Sequence, residues 1–250
     1  MSERVARSSL WLLTAGSLLV LGTAALLSLS VWQLERREWK LALIERVTQR
    51  VHATAGAAPG PGLWSHVNRA DDEYRHVRIT GRFLNDHETQ VQALTELGSG
   101  FWVLTPLTTV EGYTVLVNRG FVPQERRDPA TRAAGQIQSE TQVTGLVRMT
   151  EPGGALLRSN QPQGEHWYSR DVAAIARVRH LGSIAPYFID ADASPLPGGL
   201  PAGGLTVTTF PNNHLVYAVT WLALAVLFAG GGLQLGREEW RLRRRIRSVR

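Results

Sequence analysis

The sequence predicts a membrane protein in which two transmembrane helices flank an antiparallel β-rich (α+β) extracytoplasmic domain, barrel-like or sandwich-like. Three observations carry this. Residues 10–31 and 215–235 contain no charged side chain, and the first run would extend about 33 Å as a helix, enough to cross a bilayer core. Between the two runs the apolar period changes from helical to two, the pattern of strands with one wet face. The net charge of +6 lies wholly in the tails: residues 1–9 carry two arginines against one glutamate, and residues 236–250 seven arginines against two glutamates. Positive ends outside two spans predict both termini in the cytoplasm and a translocated central domain.

The organisation that follows is a cytoplasmic N-terminus at 1–9, a span at 10–32, a β-rich domain at 33–213, a second span at 214–235 and a basic cytoplasmic tail at 236–250. The first run is longer than a signal-peptide core and has no small-x-small cleavage site before the charges after Val31, so it is read as an uncleaved anchor. The basic tail suits an anionic bilayer surface. Nucleic acid is the weaker partner for it, because the central domain has no basic excess. One lysine, Lys40, stands among 27 basic residues, a bias in keeping with a bacterial cytoplasmic (inner) membrane protein. The chain has no cysteine, which excludes disulfides, thiolate zinc, iron–sulfur clusters and thiol copper relay within it.

The first span exits through Trp32, Arg36, Trp39 and Leu43, which share one helical stripe. Leu41, Ile44 and Val47 keep the period, so the helix is expected to run through Arg50 and end in the Gly/Pro-bearing loop at 53–62. Strands are expected at 74–83 and 88–94, a hairpin about Asn85-Asp86. Denser apolar strands at 101–105 and 114–117 form the buried centre of the sheet, and Pro123 ends the following segment. Residues 125–138 read as a surface excursion, 141–149 as a strand and 151–164 as loop. A short helix over 169–176 has Ser169 as N-cap and Asp171 in its first turn. Strands at 186–190 and 205–210 follow, separated by a Pro/Gly-rich loop. Asp71-Asp72-Glu73 reads as a solvated acidic loop.

Enzyme signatures are absent: there is no phosphate-cradling loop, His-Glu-x-x-His or Gly-x-Ser-x-Gly elbow. The chain is therefore expected not to be an enzyme. The seven histidines are scattered, and only His76 and His87 could meet across a hairpin, most simply as surface side chains. The stretch 211–221, Pro-Asn-Asn-His-Leu-Val-Tyr-Ala-Val-Thr-Trp, stands where the chain re-enters the membrane. As a helix it puts His214, Tyr217, Thr220 and Trp221 on one face. Two readings are open there: a site, because ionisable groups at the hydrocarbon edge need a partner, or a cap and an aromatic belt. Arg119, at the end of an apolar strand, could hold a carboxylate or brace its loop.

Three blocks together resemble the Surfeit locus protein 1 family of cytochrome c oxidase assembly factors. They are residues 32–40, Trp-Gln-Leu-Glu-Arg-Arg-Glu-Trp-Lys; Thr105-Pro106-Leu107 with 115–123; and 212–221. Residues 80–83 and 167–171 are also similar, and the order and two-span layout match. Ser30 stands where the family often has Gly, and Phe121 where it usually has Trp. The resemblance implies a chaperone acting as haem a enters the oxidase catalytic subunit, with the haem a synthesis machinery as a possible further partner. It also implies transient haem a binding, with His214 as candidate axial ligand to the iron. Arg36, Arg37 and Arg119 are candidate propionate partners. Trp32 and Trp221 are candidate packing residues on the macrocycle, and Tyr217 is a further candidate haem-binding residue. A different class stays open, a structural stabiliser of an oxidase assembly intermediate that binds no haem.

Overall fold

A computed structural model describes residues 7–155 and 158–248. Along it run α1 (Ser9–His52), β1 (Gly56–Ala57), α2 (Arg69–Asp72), β2 (His76–Phe83), β3 (Thr89–Thr95), β4 (Gly98–Thr109) and β5 (Thr114–Pro123). After these come β6 (Thr141–Met149), β7 (Gly154–Ala155), β8 (Arg158–Ser159), α3 (Val172–Val178), β9 (Ile184–Ala191) and α4 (His214–Ser248). Two compact units result, a helical one from Met1–Glu45 with Thr209–Arg250 and a β-rich one from Arg46–Thr208. Residues 33–45 thus group with the helices, although the sequence places the domain boundary at 33.

In the helical unit α1 and α4 are each long and apolar enough to cross a membrane, and the protein is a membrane protein with two spans. They pack antiparallel. On α1 the shielded positions include 12, 15, 19, 22, 26, 30, 33 and 37, recurring at three and four as a helix seam requires. On α4 the buried Ala218 and Ala225 occupy the facing stripe. Small residues let the backbones approach: Ser30 Oγ donates to Ala218 O at 2.9 Å, and a Cβ on Gly22 would fall 2.6 Å from Phe228. Such contacts hold helices together where lipid removes the hydrophobic drive. Ser30 therefore makes a close crossing in the place where the resembled family often has Gly. Outside the seam, Leu13, Leu18, Val20 and Leu227 are two-thirds or more exposed, a surface for hydrocarbon.

In the β-rich unit, β2, β6, β9, β5 and β4 form a barrel closed by β2 against β4, with β3 extending it beyond β4 and β1 pairing with β2. The closing register sets Gly81 opposite Thr109 and Phe83 opposite Leu107. A Cβ on Gly81 would lie 2.3 Å from Thr108 O, so only glycine lets the two strands meet there. Within this closed set the β5–β9 pair is parallel, the departure from an otherwise antiparallel barrel. Val77, Leu107, Val115, Val117, Tyr187 and Ile189 belong to one buried cluster. Leu104, Leu116 and Phe188 belong to a second with Trp167, Val172 and Ile175, where α3 covers the outer face. β5 and β9 are buried on both faces, which explains why their sequences read as dense apolar runs.

Four local expectations need correction. β2 and β3 form no hairpin about Asn85-Asp86: β2 pairs with β6 and β4, and β3 with β4. α3 is capped by Asp171, whose side chain accepts from Ala174 N at 3.0 Å, while Ser169 Oγ donates to Glu151 O instead. The acidic stretch is not solvated: Asp72 and Glu73 are buried. Glu73 accepts from Arg148 Nε at 2.8 Å and from Met149 N, and Asp72 pairs with Arg75 at 2.7 Å. Residues 205–210 form no strand; Thr206 donates its hydroxyl to Asp190 at 3.0 Å.

Candidate functional site

At the end of the helical unit that adjoins residues 209–213, α4 begins on His214. Asn213 supplies the carbonyl that Tyr217 N bonds at 3.3 Å. His214 is half-buried, and its Nδ1 lies 2.7 Å from Gln33 Oε1. A carboxamide oxygen only accepts, so Nδ1 carries the proton. In the neutral ring Nε2 then holds the lone pair, the arrangement of an imidazole ready to ligate. Gln33 is itself buried, one helical turn from Ser30 and its bond to Ala218. The tautomer is thus set by a residue locked in the helix seam.

The candidate residues divide by face. Arg37 is half-buried and stands one turn beyond Gln33 on the seam side of α1. Trp221 is half-buried on the seam side of α4, two turns beyond His214. Trp32, Arg36 and Tyr217 are exposed and turn away from the seam. Arg36 rests over the Trp39 ring at 4.1 Å, a cation–π pair on the outer stripe. Thr220, expected beside His214, is exposed and bonds back to Val216 O. The face that carries His214 inward therefore runs through Ala218, Trp221 and Ala225.

Arg119 belongs to the β-rich unit, and all its hydrogen bonds stay within it. It is 3% exposed and donates to Gly135 O, to Asn85 Oδ1 and to Gln136 Oε1, with its guanidinium 4.7 Å from the Phe83 ring centre. Burial lowers its pKa to about 10; the charge of Glu88 opposes the fall and Arg132 adds to it. It lines a small cavity of about 60 Å³ with Phe83, Val117 and Val143. Of the two uses open from sequence, this geometry displays the bracing of a loop, through three neutral oxygens.

Sequence reasoning passed over Gln33 and Asn212 as site residues. Asn212 Oδ1 is shielded from solvent and accepts no hydrogen bond among the described residues. The signal for Gln33 was present in the three-and-four spacing of Ser30, Gln33, Arg37 and Lys40, a stripe one residue over from the Trp32–Arg36–Trp39 line. No comparable periodicity marks Asn212, which precedes the helix.

Comparisons with known proteins identify the family of the chain. The family model described as SURF1 family matches residues 20–226. Surfeit locus protein 1 of Homo sapiens is 39% identical over 215 residues, covering 79% of this chain and 69% of the human protein. That of Takifugu rubripes is 35% identical, covering 82% and 90%. The SURF1-like protein of Drosophila melanogaster is 31% identical, covering 84% and 73%. With a match that begins inside the first apolar helix, crosses the barrel and ends inside the second, this chain belongs to the SURF1 family.

Proposed function

We propose that the protein assists assembly of cytochrome c oxidase by holding haem a transiently on its way to the catalytic subunit, with His214 as axial ligand. The observation that carries this is the 2.7 Å bond from His214 Nδ1 to Gln33, which leaves Nε2 free. Among the described residues no group of three His, Asp or Glu could hold a bare metal ion. A porphyrin brings its own four nitrogens and asks for one imidazole, so a lone, tautomer-fixed histidine suits it. The same surroundings suit the cargo: an apolar helix pair for the macrocycle, Trp221 for packing, Arg37 for a propionate and the unbonded Asn212 oxygen for a hydroxyl. In this reading the membrane is a bacterial inner membrane with both termini cytoplasmic.

The test is the absorption spectrum of the full chain purified from cells that make haem a. A Soret band is expected in wild type, lost in His214→Ala and weakened about 10- to 100-fold in retained haem in Gln33→Ala, as for other residues that orient a ligand histidine. A band undiminished in His214→Ala would sink ligation by this residue. The exposed Trp32, Arg36 and Trp39 stripe favours a second reading, docking on an oxidase intermediate without haem. That reading predicts no band in wild type and loss of oxidase assembly in Trp32→Ala with Trp39→Ala.

A further inference from the structure

The helix pair is not closely packed along its whole length. Leu19 presses on Gly232, where an added Cβ would lie only 1.9 Å from Leu19 Cδ2. Toward the termini a second knot ties the helices: Glu239, 8% exposed, accepts from Arg7 N at 3.1 Å and from Arg243 Nε at 3.0 Å, and Arg243 also donates to Arg7 O at 2.8 Å. Between the two knots the helices part around a cavity of about 600 Å³, lined by Ala15, Gly16, Leu19, Gly236 and Leu242 together with Arg7 and Trp11. A separate, shallower hollow with Arg237 and Trp240 shares Leu19, Gly232 and Gly236 with it. Neither Gly16 nor Gly236 has any atom within 4 Å of where a Cβ would stand, so the space is real on both walls.

We propose that this slot is a binding site for one anionic phospholipid, an acyl chain lying between the helices and the headgroup phosphate held by Arg7, with Arg237 of the adjoining hollow adding to the positive charge of this end. Shape decides the kind of occupant. The slot is pinned at both ends, so a third helix, about 10 Å across, cannot lie in it, whereas an acyl chain enters from the side. Its length suits a single leaflet: Ser9 to Leu19 spans about 15 Å of helix, against about 15 Å for half a hydrocarbon core. Charge decides the headgroup. At this end the described residues carry seven arginines against Glu238 and Glu239, and Glu239 is paired with Arg243. The Arg7 guanidinium sits 4.0 Å from the Trp11 ring centre, a pairing that suits the headgroup level and leaves its N–H edge for phosphate. An empty apolar groove facing lipid would forfeit contacts on both walls, and filling it adds packing at the point where the helices otherwise do not touch.

The experiment is native mass spectrometry of the full detergent-solubilised chain with equimolar phosphatidylglycerol and phosphatidylcholine of the same acyl length. Wild type is expected to retain one phosphatidylglycerol in at least about tenfold preference, Arg7 at the slot and the arginine-rich end around it being the source. Gly236→Leu puts a side chain into the slot without a clash and is expected to abolish retention of both lipids, with unchanged helicity by circular dichroism. Arg7→Gln with Arg237→Gln keeps a lipid but loses the preference. Soluble glycerol phosphate should not displace the bound lipid, because the acyl chain supplies most of the contact. Equal retention of the two lipids by wild type, retention unchanged in Gly236→Leu, or displacement by glycerol phosphate would each overturn the proposal. None of these readouts depends on haem.

Discussion

His76 has an acceptor against each ring nitrogen: Ala53 O lies 2.8 Å from Nδ1 and Asp192 Oδ2 2.9 Å from Nε2. Only the doubly protonated ring can donate to both. Burial by itself would lower its pKa, but the bond to Ala53 O, the bond to Asp192 and the Asp192 charge outweigh it and raise the value above the ordinary 6.5. The stability this contributes is complete below about 6.5, the unfolded value, and is lost as pH rises through the raised folded value. Thermal unfolding of the full chain is therefore expected at modestly lower temperature as pH passes upward through that window, and His76→Gln should flatten the dependence. A profile unchanged by the substitution would refute the clamp. The sequence allows His76 and His87 to meet across a hairpin, most simply as surface side chains, but β2 and β3 do not pair. Instead His87 bonds Arg179 O, because partners drawn from residues 53, 179 and 192 leave no local pattern. His214 was legible for the opposite reason, an ionisable group at the start of an apolar run. Its orienting residue lies 181 positions away and becomes visible only once the two helices are paired.

At the level of elements, burial on both faces made β5 and β9 easy to read, since continuous apolar runs such as residues 115–117 and 187–189 have few other uses. What periodicity does not specify is which strands meet. The residues at 205–210 alternate well enough for a strand, yet they join none of the ladders, and the barrel closes by β2 meeting β4. That closure depends on Gly81, with Thr108 O 2.3 Å from its missing Cβ and Leu107 Cδ2 at 2.4 Å. One of these neighbours is backbone and cannot turn aside. Gly81→Val is accordingly expected to cost upwards of about 3 kcal/mol by forcing β2 and β4 apart, read as a lowered denaturant midpoint for loss of the tryptophan signal. A midpoint within error of wild type would mean that the seam tolerates a side chain, and the account of closure would fall.

Across the whole molecule the chain order constrains topology. α1 and α4 run antiparallel, with Ser30 against Ala218 and Leu19 against Gly232, so residues 7 and 239 share one end of the pair and residues 33 and 214 the other. In sequence the barrel lies between residues 33–45 and 209–214, both of the second end. The first end is strongly basic. The second carries Arg36, Arg37 and Lys40 against Glu35, Glu38 and Glu45 within 33–45, a balanced set. An arginine excess is retained on the cytoplasmic side during insertion, so the termini are expected inside and the barrel outside. Phosphatase fusions at Gly154 should be active and green fluorescent protein fusions there dark, with the reverse at Arg250. The opposite pattern would show that the balanced segment, not the arginine-rich end, stays in the cytoplasm. It would also move the His214–Gln33 pair and the arginine-rimmed slot to the opposite faces of the membrane together, since the antiparallel pairing fixes them at opposite ends of the same two helices.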